Sequence, residues 1–165
     1  MERRLLQELK NSSEKQRRKI ALKYYIDTNI FVYSALAHPV YGKSCKQIID
    51  DIQNEKIEAY CGFLVPIELL GSLAKMNPEK AAVAVQIFFS LPINLIQIDE
   101  RILHDAAGIT VESGVSYDSV HAACMQREGL DTIITEDIAD WKKIKKVKII
   151  RPLDYKKIIK TEHQK

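Results

Sequence analysis

Short apolar segments alternate with longer helical segments between residues 24 and 150, and this alternation constrains the fold more than any other feature of the chain. A short apolar run suits a buried strand, and parallel strands need a crossover of the length that a helix supplies. The pattern therefore predicts an α/β fold with three layers (α/β/α), in which helices cover both faces of a parallel sheet of about five strands. The predicted strands are residues 24–27, 57–61, 93–98, 132–135 and 147–150.

The length of 165 residues corresponds to a single domain. Residues 1–22 are predicted to form a basic helical extension, because three leucines give them a narrow apolar stripe. Residues 23–153 are predicted to form the domain itself, and residues 154–165 a basic C-terminal tail.

The composition excludes several classes of protein. The chain has no run of about 18 apolar residues, so no membrane span is expected. The first residues lack the apolar core of a signal peptide, which makes a cytoplasmic location the expectation. Cys45, Cys61 and Cys124 are far apart, so neither a disulfide framework nor a thiolate zinc site is expected.

Charge is distributed unevenly along the chain. Residues 1–23 carry a net charge of +5 and residues 142–165 carry +8, whereas residues 24–141 carry −10. A basic periphery around an acidic centre suits a polyanion such as RNA, whose phosphates would meet bound metal at the centre. Two solvated, lysine-rich terminal helices would produce the same pattern, and charge alone does not choose between these interpretations.

Four acidic residues lie where a predicted strand ends or a predicted helix begins: Asp27, Glu68, Asp118 and Asp137. Each position has a structural explanation, because an aspartate often caps a helix and the helix dipole favours an acid in the first turn. The carboxyl ends of parallel strands nevertheless meet at one edge of a sheet, where ligands bind. Taken together, the four acids predict a cleft whose negative charge requires a cation.

Oxygen ligands without cysteine or clustered histidine favour Mg²⁺ or Mn²⁺. Two such ions about 3.5–4 Å apart activate a water and stabilise the leaving oxygen of an in-line displacement, which is the chemistry of phosphodiester hydrolysis. Thr28 and Asn29 supply short polar groups beside Asp27, and Asp140 lies three residues beyond Asp137. His121 shares a helix face with Asp118, so it either orients a carboxylate or is structural, and it is not expected to bind metal.

Other phosphate-related motifs fit the sequence poorly. Gly42-Lys43-Ser44 resembles the end of a P-loop, but the required first glycine is Ala37. No Gly-x-Gly-x-x-Gly follows the first strand, so the dinucleotide-binding signature is missing, and Asp27 lacks the second aspartate of aspartyl-phosphate phosphatases. A phospho-receiver-like signalling domain stays open as an alternative, because it also has acids at strand ends.

At these residues the chain resembles the PIN domain, a family of small metal-dependent nucleases that includes the VapC-type toxins of toxin–antitoxin pairs. The resemblance covers about residues 23–153. The spacing between the four acids is 41, 50 and 19 residues, which suits the family. The matching segments are Ile26 to Asn29, Pro66 to Leu69, Tyr117 to Ala123, Ile134 to Trp141 and Val147 to Pro152.

The resemblance implies a Mg²⁺- or Mn²⁺-dependent endoribonuclease that hydrolyses single-stranded RNA. By position, the catalytic and metal-binding acids would be Asp27, Glu68, Asp118 and Asp137, with Asp140 as a further metal ligand and Thr28 or Asn29 and Thr135 as supporting residues. His121 joins the supporting residues because of its place on the helix of Asp118. A homodimer is expected, from the family and from the apolar residues of segment 81–89, and an antitoxin partner is a further expectation. The alternative from another class is a catalytically silent RNA- or protein-binding module that retains the cleft.

Overall fold

The computed structural model describes residues 22–162, and the side chains of residues 22–161. The basic extension predicted at residues 1–22 therefore lies outside the described residues except for its last member. Residues 163–165, at the end of the predicted tail, also lie outside them.

The centre of the fold is one sheet of five parallel strands in the spatial order β3-β2-β1-β4-β5. This confirms the predicted parallel sheet and its number of strands. The order reverses at β1, since β2 and β3 follow on one side of it and β4 and β5 on the other. The strands are β1 (Lys23–Ile26), β2 (Glu58–Gly62), β3 (Ile93–Ile96), β4 (Thr132–Ile134) and β5 (Lys148–Ile150).

Eight helices accompany the sheet within residues 22–162, and they cover both of its faces. Adjacent residues of a strand point to opposite faces, so Tyr24 and Ile26 enter one core whereas Tyr25 enters the other. The three layers predicted from the sequence are therefore present. The helices are α1 (Thr28–Ala35), α2 (Gly42–Gln53), α3 (Leu64–Ala74), α4 (Pro78–Ser90), α5 (Glu100–Ser113), α6 (Tyr117–Arg127), α7 (Ile138–Trp141) and α8 (Pro152–Glu162).

The two cores divide the helices between them. The core that contains Ile26 receives buried side chains from α1, α2, α3, α4 and α8, and the core that contains Tyr25 receives them from α5, α6 and α7. Cys45, Cys61 and Cys124 are buried as free thiols. Cys45 and Cys61 lie in the core that contains Ile26, and Cys124 lies in the core that contains Tyr25. Within residues 22–162, we find no helix with both the length and the apolar character that crossing a bilayer requires.

The end of the chain differs from the predicted layout. Helix α8 begins at Pro152, so the predicted domain boundary at residue 153 falls inside a helix. Tyr155 of this helix is buried, and its hydroxyl donates a hydrogen bond of 3.0 Å to the buried carboxylate of Asp51 on α2. At least the first turns of the segment predicted as a tail therefore pack on the domain.

Candidate metal centre

The candidate site lies at the carboxyl edge of β1 and β4, where the strand order reverses. The backbone N–H of Asp27 donates to the carbonyl of Ile134 at 3.1 Å. The ends of β1 and β4 therefore lie side by side at the same edge of the sheet. Ligands of open α/β sheets bind in the crevice outside such a reversal. The topology therefore places the residues after β1 and after β4 on the walls of one cleft.

Asp27 is the buried acid of this cleft. One carboxylate oxygen, Oδ1, accepts from the backbone N–H of Thr28 at 2.7 Å, which caps α1. The other, Oδ2, accepts from Asn29 Nδ2 at 2.9 Å and from Thr135 Oγ1 at 2.5 Å. Burial raises the pKa of Asp27 above its usual value, although His121 and the Thr135 hydroxyl act against this increase. Asp27 is thus both a helix cap and a member of the cleft.

Asn29 and Thr135 connect the segments that follow the two strands. Asn29 Nδ2 also donates to Thr135 Oγ1 at 2.9 Å, and Asn29 Oδ1 accepts from the backbone N–H of Glu136 at 3.3 Å. Thr135 Oγ1 accepts in turn from the backbone N–H of Asp137 at 3.0 Å. The position of Asp137 is consequently fixed relative to Asp27 by two short polar side chains.

Glu68 approaches the cleft from the second turn of α3. Its Oε2 accepts from Thr28 Oγ1 at 2.5 Å and lies 3.1 Å from Nε2 of His121. Burial alone would raise the pKa of Glu68, but the hydrogen bonds from His121 and Thr28 outweigh it and hold this pKa below its usual value. The Glu68 carboxylate is therefore ionised and oriented.

His121 is buried on α6, and its two ring nitrogens have different partners. Nε2 faces Glu68, and Nδ1 lies 2.8 Å from the hydroxyl of Tyr25. Burial disfavours the charged imidazole, but the hydrogen bond to Glu68 and the nearby carboxylates raise the pKa of His121 overall. The carboxylate that His121 contacts belongs to Glu68, although Asp118 shares its helix.

Three carboxylates form the densest acidic group of the described residues. One oxygen from each of Asp118, Asp137 and Asp140 lies within 4.8 Å of the other two. Burial and then the charge of Asp27 raise the pKa of Asp118 to about 6, against the opposing effect of His121. Asp140 also accepts from Lys143 Nζ at 2.5 Å. Carboxylates this close, with one pKa raised by its neighbours, are the arrangement that a hard divalent cation stabilises.

The structure thus gathers the predicted acids into one cleft, in two connected parts. Asp118 and Asp137 lie in the close group with Asp140. Asp27 and Glu68 are joined through Thr28, and Asp27 acts electrostatically on Asp118. Glu136, between Thr135 and Asp137, accepts from Arg151 at 2.6 Å and is not part of the group.

Two residues next to the site, Tyr25 and Gly62, were not predicted from the sequence. The Tyr25 hydroxyl contacts His121 and also accepts from the backbone N–H of Gly62 at 2.8 Å. Tyr25 looks like an ordinary apolar strand residue in the sequence. The available signal was Gly62, since a glycine that ends a strand often marks a close approach.

Comparison with known proteins gives a consistent result. The sequence profile of the family described as PIN domain matches residues 24–147. A search of curated proteins found no match. Solved structures do match, and several of them are complexes. The chain is 20% identical to VapBC2 from Rickettsia felis bound to a promoter DNA fragment, with a TM-score of 0.62 and coverage of 79% of this chain and 98% of that one.

A toxin–antitoxin complex from Klebsiella pneumoniae is 18% identical, with a TM-score of 0.56 and coverage of 78% of this chain and 97% of that one. VapC20 from Mycobacterium tuberculosis, described as a toxin that cleaves the sarcin–ricin loop, is 15% identical. Its TM-score is 0.57, and the match covers 67% of this chain and 86% of that one. These likenesses establish a shared fold. Since the family profile spans more than half of the sequence and includes all of the acids described above, the chain belongs to the PIN domain family.

Proposed function

We propose that the protein is a metal-dependent endoribonuclease that hydrolyses phosphodiester bonds of single-stranded RNA with Mg²⁺ or Mn²⁺. The observation that carries this proposal is the close group of Asp118, Asp137 and Asp140, next to the buried Asp27 and the oriented Glu68. Five carboxylates in one cleft are costly to a fold unless cations and substrate use them. Membership of the PIN family supports the same activity.

Each side chain has a role in this proposal. Asp27, Glu68, Asp118, Asp137 and Asp140 would hold the cations. When bound, divalent cations supply an activated water and stabilise the charge on the phosphate oxygens. The supporting residues act on the acids: Asn29 and Thr135 fix Asp27 and Asp137, Thr28 fixes Glu68, and His121 holds Glu68 from the other side.

The choice of RNA, and of a toxin role, is supported by the similar proteins and by charge. One similar structure is described as a toxin that cleaves an RNA loop, and another as a toxin–antitoxin complex. The lysines near both ends of the chain would bind the phosphate backbone electrostatically. We infer accordingly that the protein is the toxin of such a pair. A short DNA-binding protein encoded next to it should then suppress its toxicity on co-expression.

Besides a pairing with an antitoxin, we propose that the protein forms a homodimer. Segment 81–89 is only partly used by the core, since Ala81 and Phe88 are buried whereas Val83, Ile87 and Phe89 are about half exposed. Val83 and Ile87 lie one turn apart on α4 and present an apolar stripe. Sedimentation of the Ile87→Asp variant should then show monomer where the wild type shows dimer. A monomeric wild type would contradict the dimer but not the nuclease.

Cleavage of a single-stranded RNA with added Mn²⁺ or Mg²⁺ tests the proposed activity. The Asp118→Asn variant should lose at least about a hundredfold of the rate, because a missing metal ligand costs no less than a missing supporting residue. It should still fold, since the substitution removes an unfavourable charge. The matched control is Asp105→Asn, an exposed acid of α5 outside the site, which should cleave like the wild type.

Two results would contradict the activity. RNA cleavage that persists in EDTA or in Asp118→Asn would point to a contaminating nuclease. A pure protein that binds RNA but never cleaves it, with either metal, would be a silent binding module instead.

A further inference from the structure

We propose that Tyr25 and Gly62 position Glu68 by way of His121, as a chain of hydrogen bonds that reaches from the second strand into the cleft. Neither residue has a place in the proposed function so far, and neither contacts the acids directly. The inference rests on the proposed function for its consequence, which is the orientation of one metal ligand. The arrangement of the four residues is established by their hydrogen bonds and does not depend on the proposed function.

Tyr25 is a core residue with a polar end. Its side chain is fully buried in the core formed with α5, α6 and α7. The hydroxyl accepts from the backbone N–H of Gly62 at 2.8 Å and lies 2.8 Å from Nδ1 of His121, whose ring meets the tyrosine ring edge-on at 5.8 Å between centroids. A buried tyrosine hydroxyl with two partners on two other elements holds both of them in place.

When the imidazole of His121 is neutral, as in alkaline buffer, a count of the available protons fixes the direction of every bond. An ionised carboxylate only accepts, so the Nε2 of His121 must carry the proton that faces Glu68. In the neutral ring Nδ1 is then an acceptor, and the single hydrogen of the Tyr25 hydroxyl satisfies it. That hydroxyl accepts from Gly62 in return. One arrangement therefore satisfies all of these groups, and donation runs from Gly62 to Tyr25, to His121 and to Glu68.

Gly62 is required for this chain because of the space around it. A Cβ atom at this position would lie 2.8 Å from the Tyr25 hydroxyl oxygen and 2.9 Å from Sγ of Cys124. Cys124 and His121 are three residues apart on α6, so they occupy the same face of that helix. A side chain at residue 62 would push the hydroxyl away from the imidazole.

As a consequence, hydrogen bonds hold the Glu68 carboxylate from two sides. Thr28 donates to Glu68 Oε2 from α1, and His121 donates to the same oxygen from α6, with Tyr25 fixing the imidazole. Outer residues of this type keep a ligand oriented, and their loss typically costs about 10–100-fold in metal affinity or activity. Tyr25 is thus a positioning residue rather than a catalytic one.

The test compares Tyr25→Phe with Tyr60→Phe. Tyr60 is the matched control, because it is paired with Tyr25 across the two strands and packs in the same core, but its hydroxyl bonds to Glu58. In the wild type, ¹⁵N NMR in slightly alkaline buffer should show His121 with a protonated Nε2 and a hydrogen-bonded, unprotonated Nδ1. In Tyr25→Phe the Nδ1 resonance should move towards that of a nitrogen without a hydrogen bond.

The metal readout is calorimetry of Mn²⁺ binding. Tyr25→Phe should weaken Mn²⁺ binding about tenfold or more and lower kcat with little change in KM for RNA, whereas Tyr60→Phe should change none of these. If Tyr25→Phe fails to fold, Gly62→Ala displaces the same hydroxyl and should reproduce the effects.

A protonated Nδ1 in the wild type would overturn the proposal, and so would unchanged Mn²⁺ affinity in a folded Tyr25→Phe variant. Failure of the wild type to cleave RNA contradicts the proposed function only. The NMR spectrum and the Mn²⁺ titration decide the positioning role without any measurement of cleavage.

Discussion

Asp118 is the residue at which the cost of the acidic cleft is most apparent. Its carboxylate is partly buried, and the charges of Asp27, Asp137 and Asp140 all act against its ionisation. These effects raise its pKa from 3.8 to about 6. A group whose folded pKa lies above its unfolded pKa makes the protein less stable as the pH rises through that interval.

This leads to a prediction for the metal-free protein. Asp118→Asn should match the wild type in stability below about pH 4, gain on it between about pH 4 and 6, and keep that advantage at higher pH, because only the wild type must ionise the aspartate. The shift corresponds to about 3 kcal/mol, which solvent screening of a partly exposed group reduces to about 1–2 kcal/mol at pH 8. Urea unfolding in EDTA at several pH values measures the difference.

Addition of Mg²⁺ or Mn²⁺ provides the control. A cation in the cleft should stabilise the wild type more than the variant and so reduce or reverse the difference. An Asp118→Asn variant that is less stable than the wild type at pH 8 in EDTA would contradict the account of the cluster.

The supporting polar residues were predictable to different degrees. Thr28, Asn29 and Thr135 lie within two residues of a predicted strand end, so their proximity to the acids follows from the topology alone. The role of Tyr25 was not predictable, because its position in an apolar strand identifies it only as a core residue. The partners of its hydroxyl come from 37 and 96 residues away along the chain. The local sequence pattern marks at most Gly62 as a point of close approach and does not identify which residue approaches it.

At the scale of elements, one buried carboxylate helps to hold α8 on the domain, beside the apolar contacts of Tyr155, Ile158 and Ile159. Asp51 of α2 accepts from Tyr155 Oη at 3.0 Å, from Gln47 Nε2 at 3.0 Å and from Lys56 Nζ at 3.0 Å. Three donors offset the cost of burying this charge. Asp51 therefore joins the last helix to α2 and to the segment before β2.

Tyr155→Phe should weaken this attachment. The variant keeps the ring in the core but removes one of the three donors to a charged acceptor, which we expect to cost about 1.5–3 kcal/mol in the free energy of unfolding. Tyr117→Phe is the control, since Tyr117 is largely exposed and should tolerate the change. Urea unfolding of both variants gives the comparison, and equal stabilities would show that α8 does not depend on Asp51.

Helix α5 offers a stabilising substitution. Gly108 lies within this helix, and the described part of the protein places no heavy atom within 4 Å of a Cβ built there. Gly108→Ala should raise the free energy of unfolding by about 0.5–1 kcal/mol, because glycine loses more backbone entropy than alanine in a helix.

Gly114 at the end of the same helix is the opposite case. Its φ of +73° is left-handed, so Gly114→Ala should lower stability although the space around it is equally open. Thermal unfolding of the two variants distinguishes them by sign, and a shift in the same direction for both would contradict the argument.

The elements themselves were largely predictable, and the exceptions have physical reasons. All five strands appear where the apolar runs predict them. Helix α3 begins at Leu64, two residues before Pro66, although proline after a strand suggests a first helical position, because proline is also tolerated later in the first turn. Helix α8 covers most of the segment predicted as a tail, although a lysine-rich terminal helix was one of the two interpretations of the charge pattern. Proline also suits a first helical position, and Tyr155, Ile158 and Ile159 have helical spacing.

At the scale of the whole molecule, charge separates the ends of the chain from its middle. The basic residues after α7 include Lys142 and Lys145, which follow the acidic group directly in the chain. A polyanion that approaches the cleft would therefore meet lysines beside carboxylates. Binding of this kind releases counterions and depends strongly on salt.

RNA binding by the cleavage-deficient Asp118→Asn protein should show this dependence. Neutralising two phosphate contacts should reduce the slope of log K against log salt by about 1.4 for single strands. We expect this for Lys142→Gln combined with Lys145→Gln. Lys75→Gln combined with Lys80→Gln, at the turn between α3 and α4, is the matched control and should leave the slope unchanged. Fluorescence anisotropy at several salt concentrations measures both, and equal slopes would place the RNA elsewhere.

The order of strands in the sheet also governs when activity can begin during synthesis. Asp27 is synthesised directly after β1, but the strand that completes its cleft, β4, is made more than a hundred residues later. A nascent chain therefore holds Asp27 and Glu68 without Asp137 and Asp140. If the protein is the proposed ribonuclease, it could cleave no RNA, including the message that encodes it, until translation of its own domain is nearly finished.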